Sequence, residues 1–165
     1  MILTRNEILK ELNLNKITIS PFHIKQLNPN SYNYRLSDHI AVPEFDPISQ
    51  TETYHTIQIP KEGFILRPGC TYLSHTFETL GSSEYAMSLI GRSSLGRLGL
   101  FLQVSANLGH TTSCHKWTLE IVACKTIIVY PEMIIGQISF WKNVGEYHES
   151  AIRYNKYNFL TPSLD

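Results

Sequence analysis

Between residues 85 and 121 the chain sets two apolar runs of strand length on either side of a compact polar bend, Gly91-Arg92-Ser93-Ser94-Leu95-Gly96-Arg97. It then closes with Trp117-Thr118-Leu119-Glu120-Ile121. Short apolar runs bounded by turn residues are the pattern of buried strands. Two guanidinium groups, two hydroxyls and two glycines fall within seven positions, and a carboxylate follows between Leu119 and Ile121. Polar groups placed this densely among apolar strands read more as a nucleotide site than as ordinary core.

The remainder of the chain supports a β reading. Thr4-Arg5-Asn6-Glu7 has the form of a capping box, and Ile8, Leu9 and Leu12 then give a short amphipathic helix ending near Asn13. Ile17 and Ile19 alternate in a strand stopped by Pro21. Asn28-Pro29-Asn30-Ser31 reads as a turn, and residues 32–40 are extended again. Residues 43–56 are polar, contain two prolines and show no clear period, which predicts a surface loop. Pro68-Gly69 predicts a tight hairpin turn within residues 65–73, because proline presets φ and glycine supplies a positive one. Residues 128–137 echo that hairpin around Pro131, with Glu132 in the glycine's place and a turn of different type expected. Residues 76–80 and 85–90 complete the strands. Two similar hairpins in one small chain suit a double-sheet, jelly-roll-like barrel. From Glu146 the pattern breaks, giving a domain over 1–145 and a tail over 146–165 that is either a disordered end or a lid.

At 165 residues the length suits one domain with a proper core. A formal net charge of zero offers no broad basic face for nucleic acid, although a local cluster suffices for a small phosphate. Low charge and nine tyrosines favour an oligomer, since surfaces buried between subunits are poor in charge and rich in tyrosine. Cys70, Cys114 and Cys124 are odd in number and lack CxxC spacing, so a disulfide framework is not expected. No leader pattern and no membrane-length apolar run are seen, and the expectation is a cytoplasmic protein.

Three groups carry candidate chemistry. If the strand ends at Gly91, residues 93–97 can form one helical turn whose free N–H groups and Ser93 and Ser94 hydroxyls face an anion, with Arg92 and Arg97 adding charge-assisted bonds. A capped surface turn with two solvated arginines is the competing reading. Glu120 lies on the strand face opposite Leu119 and Ile121, where it could act as general base and acid. A strand glutamate in solvent is its competing reading. His110, Cys114 and His115 invite a zinc reading, but adjacent residues of a strand face opposite ways, and the H-x-E with P-C-x-x-C signature of zinc nucleobase deaminases is missing from the sequence.

The block from Gly91 to Leu100, GRSSLGRLGL, resembles the signature of the dCTP deaminases, members of the trimeric dUTPase-like superfamily. The likeness continues through Val104-Ser105-Ala106, Thr118-Leu119-Glu120, Ile135-Gly136-Gln137-Ile138-Ser139-Phe140 and the early Tyr34-Arg35-Leu36. The resemblance implies a mainly β, dUTPase-like barrel with a short N-terminal helix and a short helix after the central strand. It implies a zinc-free deaminase in which Glu120 activates a water for attack on C4 of cytosine and passes the proton to the departing amine. Ser93 and the Ala106 carbonyl would position water and ammonia, and Arg97 would orient Glu120. The bend from Arg92 to Arg97, including Leu95 and Gly96, would meet the phosphates of a dCTP-like triphosphate carrying Mg²⁺. Thr118 and Leu119 would line the same site, and Lys156 in Tyr154-Asn155-Lys156-Tyr157 would belong to a closing segment. Sites would lie between subunits of a homotrimer.

The chain also departs from that pattern. An ungapped alignment sets His110 where the family has an aspartate that meets the sugar 3′-hydroxyl, and Leu108 where an arginine usually stands. The tail reads Asn158-Phe159-Leu160 where the family is rich in glutamine and glycine. In dUTPases that aspartate activates the water that attacks the α-phosphate. His110 in its place, with Glu120 kept, favours deamination over pyrophosphate release. A nucleotide diphosphatase and a non-catalytic nucleotide-binding protein are the alternatives.

Overall fold

In the computed structural model, which describes residues 1–48, 50–104 and 106–146, the chain opens with helix α1 (Arg5–Asn13) and strand β1 (Ile17–Ser20). There follow β2 (Tyr32–Arg35), β3 (His39–Asp46), β4 (Thr51–Gln58), β5 (Phe64–Leu66), β6 (Thr71–His75), β7 (Thr79–Ser82) and β8 (Tyr85–Gly91). Helix α2 (Ser93–Arg97) then precedes β9 (Leu100–Leu102), β10 (Leu108–Gly109), β11 (Cys114–His115), β12 (Thr118–Ala123), β13 (Ile127–Val129) and β14 (Ile134–Lys142). The strands form sheets of order β10-β8-β14-β2, β4-β3-β6-β12-β9, β1-β7-β11 and β13-β5, with antiparallel pairing throughout. The mainly β expectation holds, with two short α-helices where they were expected.

One apolar core joins the sheets. Leu89, Ile138 and Phe140 of the four-stranded sheet are buried together with Ile40, Leu119 and Ile121 of the five-stranded sheet. Alternation produces this directly, because every second residue of β12 points inward. Ile8 of α1 and Ile17 and Ile19 of β1 close one end.

Several local expectations are corrected. Thr4 does stand at the N-cap of α1, but its side chain caps nothing, and Glu7 turns to Lys10 at 2.8 Å, so the capping box is not formed. Residues 43–56 are not a loop. They are most of a β3–β4 hairpin in continuous register from His39↔Gln58 to Asp46↔Thr51. Threonine, tyrosine and histidine suit a solvent-facing pleat, and β4 lies at the edge of its sheet, so polarity hid a strand pair there. The Pro68-Gly69 and Pro131-Glu132 turns exist, but neither closes a hairpin. β5 leaves its successor to pair with β13, while β6 joins β12 and β3 and β14 joins β8 and β2. Each turn is therefore a corner between sheets. Glu132 takes a left-handed φ of 56°, positive like that of Gly69 at 99°. Its carboxylate meets Arg35 at 2.8 Å and its N–H donates to the Leu36 carbonyl at 3.1 Å, which holds a non-glycine residue there.

Candidate active site

The bend is mounted on β8 by a tyrosine that crosses a glycine. Gly136 of β14 lies between Tyr34 of β2 and Gly91 of β8. With no side chain at Gly136, the buried Tyr34 ring passes over it and its hydroxyl donates to the Ile90 carbonyl at 3.2 Å. Burial pushes the Tyr34 phenol well above its ordinary pKa, so it stays a donor. The end of β8 is thereby fixed one residue before the bend.

Arg92 then takes an extended conformation at the N-cap, and residues 93–97 turn once as α2. The Leu95 and Gly96 amides close on the Arg92 carbonyl at 3.0 and 2.9 Å. The Ser93 and Ser94 amides belong to the first turn and have no partner within the helix. Ser93, Ser94 and Arg97 are exposed, Arg92 and Gly96 are half-buried, and Leu95 packs against the core. The helix anticipated over these residues is present.

From α2 the chain enters β9, which pairs with β12 through Ala123↔Leu100 to Ile121↔Leu102. A Cβ on Gly91 would sit 3.6 Å from the Leu102 amide, so the end of β8 lies against the end of β9. Beyond Leu102 stands Gln103, and across from it Glu120. The Gln103 amide donates to the Glu120 carbonyl at 3.3 Å, and the Glu120 amide donates to Gln103 Oε1 at 2.9 Å. Gln103 Nε2 donates to the carbonyls of Ala106 at 3.3 Å and Thr118 at 3.4 Å. The structure thus brings Ala106, Thr118 and Glu120 together around Gln103, a residue that sequence reasoning passed over. Nothing in the alternating pattern marks it.

Thr118 and Glu120 are half-buried on one face of β12, and Leu119 is buried on the other, as alternation required. Among the described residues, the carboxylate of Glu120 and the guanidinium groups of Arg92 and Arg97 form no hydrogen bond or ion pair. The expected orientation of Glu120 by Arg97 is thus not made within a single chain. His110 follows β10 and is exposed; its carbonyl accepts from the Ser113 amide at 3.2 Å. Gly109 before it lies under the Trp117 ring, whose Nε1 donates to the Leu80 carbonyl at 2.9 Å. Lys156 lies outside the described residues.

Cys114 is exposed and His115 buried, on opposite faces as their adjacency required. His115 Nδ1 lies 2.9 Å from the Lys116 carbonyl and its ring lies 4.2 Å from that of Trp117. Among the described residues no group of three or more His, Cys, Asp or Glu is placed to hold a metal ion. No helix among them is long and apolar enough to cross a membrane.

A family model for dCTP deaminase-like proteins matches residues 2–143. The chain is 42% identical over 167 residues to a dUMP-forming dCTP deaminase of Clostridium beijerinckii, covering 99% of this chain and 96% of that one. It is 39% identical over 168 residues to a dCTP deaminase of Rhodopirellula baltica, covering 99% of this chain and 84% of the relative. The crystal structure of 2′-deoxycytidine 5′-triphosphate deaminase from Agrobacterium tumefaciens superposes with a TM-score of 0.68 at 22% identity. That match covers 86% of this chain and 48% of the other, so the chain spans about half of that solved protein and shares its fold. The chain belongs to the dCTP deaminase-like family, a class of hydrolases acting on carbon–nitrogen bonds.

Proposed function

We propose that this protein deaminates dCTP to dUTP and ammonia, with Glu120 as general base and then general acid. Water loses a proton to the Glu120 carboxylate as its oxygen bonds to C4 of the cytosine. The C4–N4 bond then breaks, and the proton held by Glu120 leaves with the amine. The observation that carries this reading is the state of Glu120: a half-buried carboxylate with no partner among the described residues, on a strand whose backbone is held at both N–H and carbonyl. A carboxylate carried on a held strand and engaged by no described neighbour is available to a bound water.

In this reading Ser93 and the Ala106 carbonyl are the positioning groups for water and ammonia. The bend supplies donors, from Ser93, Ser94, Arg92 and Arg97, which suit phosphate oxygens rather than a bare cation. Leu95 and Gly96 shape that turn, and Thr118 and His110 border the base and sugar, whereas the Leu119 side chain lies in the core on the other face of β12 and does not line the site as the resemblance implied. Mg²⁺ fits this donor set only as a passenger on the triphosphate, held by phosphates and water, where it would neutralise phosphate charge.

A homotrimer with sites between subunits accounts for two features. The Arg92 and Arg97 guanidinium groups and the Glu120 carboxylate have no partner among the described residues, and Leu98, Phe101, Val104 and Leu108 are exposed, from 42% at Phe101 to 70% at Val104. In this reading residues 146–165, with Lys156, close over the nucleotide.

Incubation with cytosine and uracil nucleotides and magnesium, resolving ammonia, uracil nucleotides and pyrophosphate, tests the activity. Glu120→Gln should lower kcat by about 10²–10⁴-fold with nucleotide binding retained; an active Glu120→Gln protein would refute the assignment. A second reading, deamination followed by pyrophosphate release to dUMP, has in its favour the dUMP-forming activity in the name of the Clostridium beijerinckii relative. His110 at the aspartate position favours dUTP. Equimolar pyrophosphate and ammonia would select the dUMP-forming reading, pyrophosphate alone a diphosphatase, and binding without product a non-catalytic homologue.

A further inference from the structure

Gln103 sits where β9 stops. The regular ladder with β12 ends at Ile121↔Leu102. A further residue in strand conformation would have carried the pairing on along Glu120 and Thr118. Instead Gln103 adopts a left-handed φ of 49°, turning the main chain away toward Ala106. A non-glycine residue is rarely found in that region, because its Cβ crowds the following carbonyl. Its side chain folds back, and the carboxamide takes the place of the missing peptide group. Oε1 accepts from the Glu120 amide, as a strand carbonyl would, and Nε2 donates to the Thr118 carbonyl, as a strand amide would. The second Nε2 proton reaches the Ala106 carbonyl. A primary amide has two donors and one carbonyl acceptor, and all are engaged. The orientation is dictated by the partners, since two are carbonyls and the third is an N–H.

We propose that Gln103 is the positioning residue of the deamination site: through one carboxamide it sets the Glu120 main chain at a fixed distance from the Ala106 carbonyl. The inference rests on the reading in which Glu120 and Ala106 hold the water between them. A side chain that bonds to both is a rigid spacer across the gap the water must occupy. Losing it leaves both groups present and lets the spacing drift. A displacement of about 1 Å at reacting groups can cost on the order of 10²-fold in rate.

The test uses the full chain with dCTP and magnesium, reading ammonia release, KM and the melting temperature. Gln103→Met keeps the length of the side chain and removes all three bonds. It is expected to lower kcat by roughly 10²-fold, with KM for dCTP within about threefold of wild type. Gln103→Glu keeps the acceptor for the Glu120 amide. It loses both donors when ionised and regains one when protonated, so its kcat relative to wild type should rise as pH is lowered. A purely structural role gives no such recovery. If Gln103→Met does not fold, the Gln103→Glu profile decides. Wild-type kcat in Gln103→Met, or a pH-independent ratio in Gln103→Glu, overturns the inference while leaving the deaminase reading intact. A wild-type protein that releases no ammonia from dCTP sinks both.

Discussion

Gly136 shows how much one missing side chain can settle. A Cβ there would overlap the Tyr34 ring at its ζ and ε2 carbons and its hydroxyl. Tyr34 is fully buried and hydrogen-bonded to Ile90, so it has nowhere to go. Gly136→Ala should therefore destabilise the fold by about 3 kcal/mol, lowering Tm by roughly 10 °C. Differential scanning calorimetry checks this, and a variant melting within about 2 °C of wild type would contradict it. Because the same contact fixes the carbonyl before Gly91, nucleotide affinity should weaken with stability. The sequence displays Gly136 and Tyr34 openly but gives no sign that they meet, since they stand 102 positions apart and only the β2–β14 register joins them.

Among the elements, the corner between β13 and β14 depends on a buried charge. Glu78 is fully buried and accepts from Arg35 twice, from the amide and from Nε, each at 2.8 Å. Gln26 Nε2 adds a longer bond at 3.4 Å. The Arg35 guanidinium also covers the Phe77 ring at 4.2 Å and reaches Glu132 in the corner turn. Removing one partner of a buried pair strands the other, at a cost of about 3–5 kcal/mol. Arg35→Met should therefore shift the urea midpoint downward with the m-value unchanged. The double variant Arg35→Met/Glu78→Leu should recover most of the loss. A single variant as stable as wild type would show that the pair carries little. Alternation made β1, β8 and β12 legible in the sequence, because Ile17, Ile19, Leu119 and Ile121 alternate in register with burial. It could not show that the two proline turns are corners, since partner choice is a long-range matter that local turn chemistry leaves open.

For the whole molecule, two histidines set a pH limit. Burial is the main cause that pushes His75 below its ordinary pKa of 6.5, with Lys116 adding to it, and burial does the same to His115. Each group is thus held neutral in the fold but takes up a proton near pH 6.5 when unfolded. Below that value the unfolded chain binds more protons, so stability present at neutral pH falls as the solution is acidified. Tm should be lower at about pH 5.5 than at about pH 7.5, and replacing both histidines by glutamine should flatten the difference. A Tm unmoved across that interval would refute the argument. If the proposed homotrimer forms, light scattering should give three times the 18.9 kDa chain mass, and a monomer mass would refute it.

The order of polar and apolar residues alone determined the β class, the helical turn at the arginine–serine bend and the outward face of Glu120. Those features follow from the period of two and from where the apolar run of β8 gives way to polar residues, which are local. Tertiary structure alone decided that the polar segment over 43–56 is mostly strand, that β5 finds β13, and that Gln103 replaces a missing rung beside Glu120. Each of these depends on which distant backbone groups remain unpaired once the sheets have formed, and a chain read residue by residue carries no record of that.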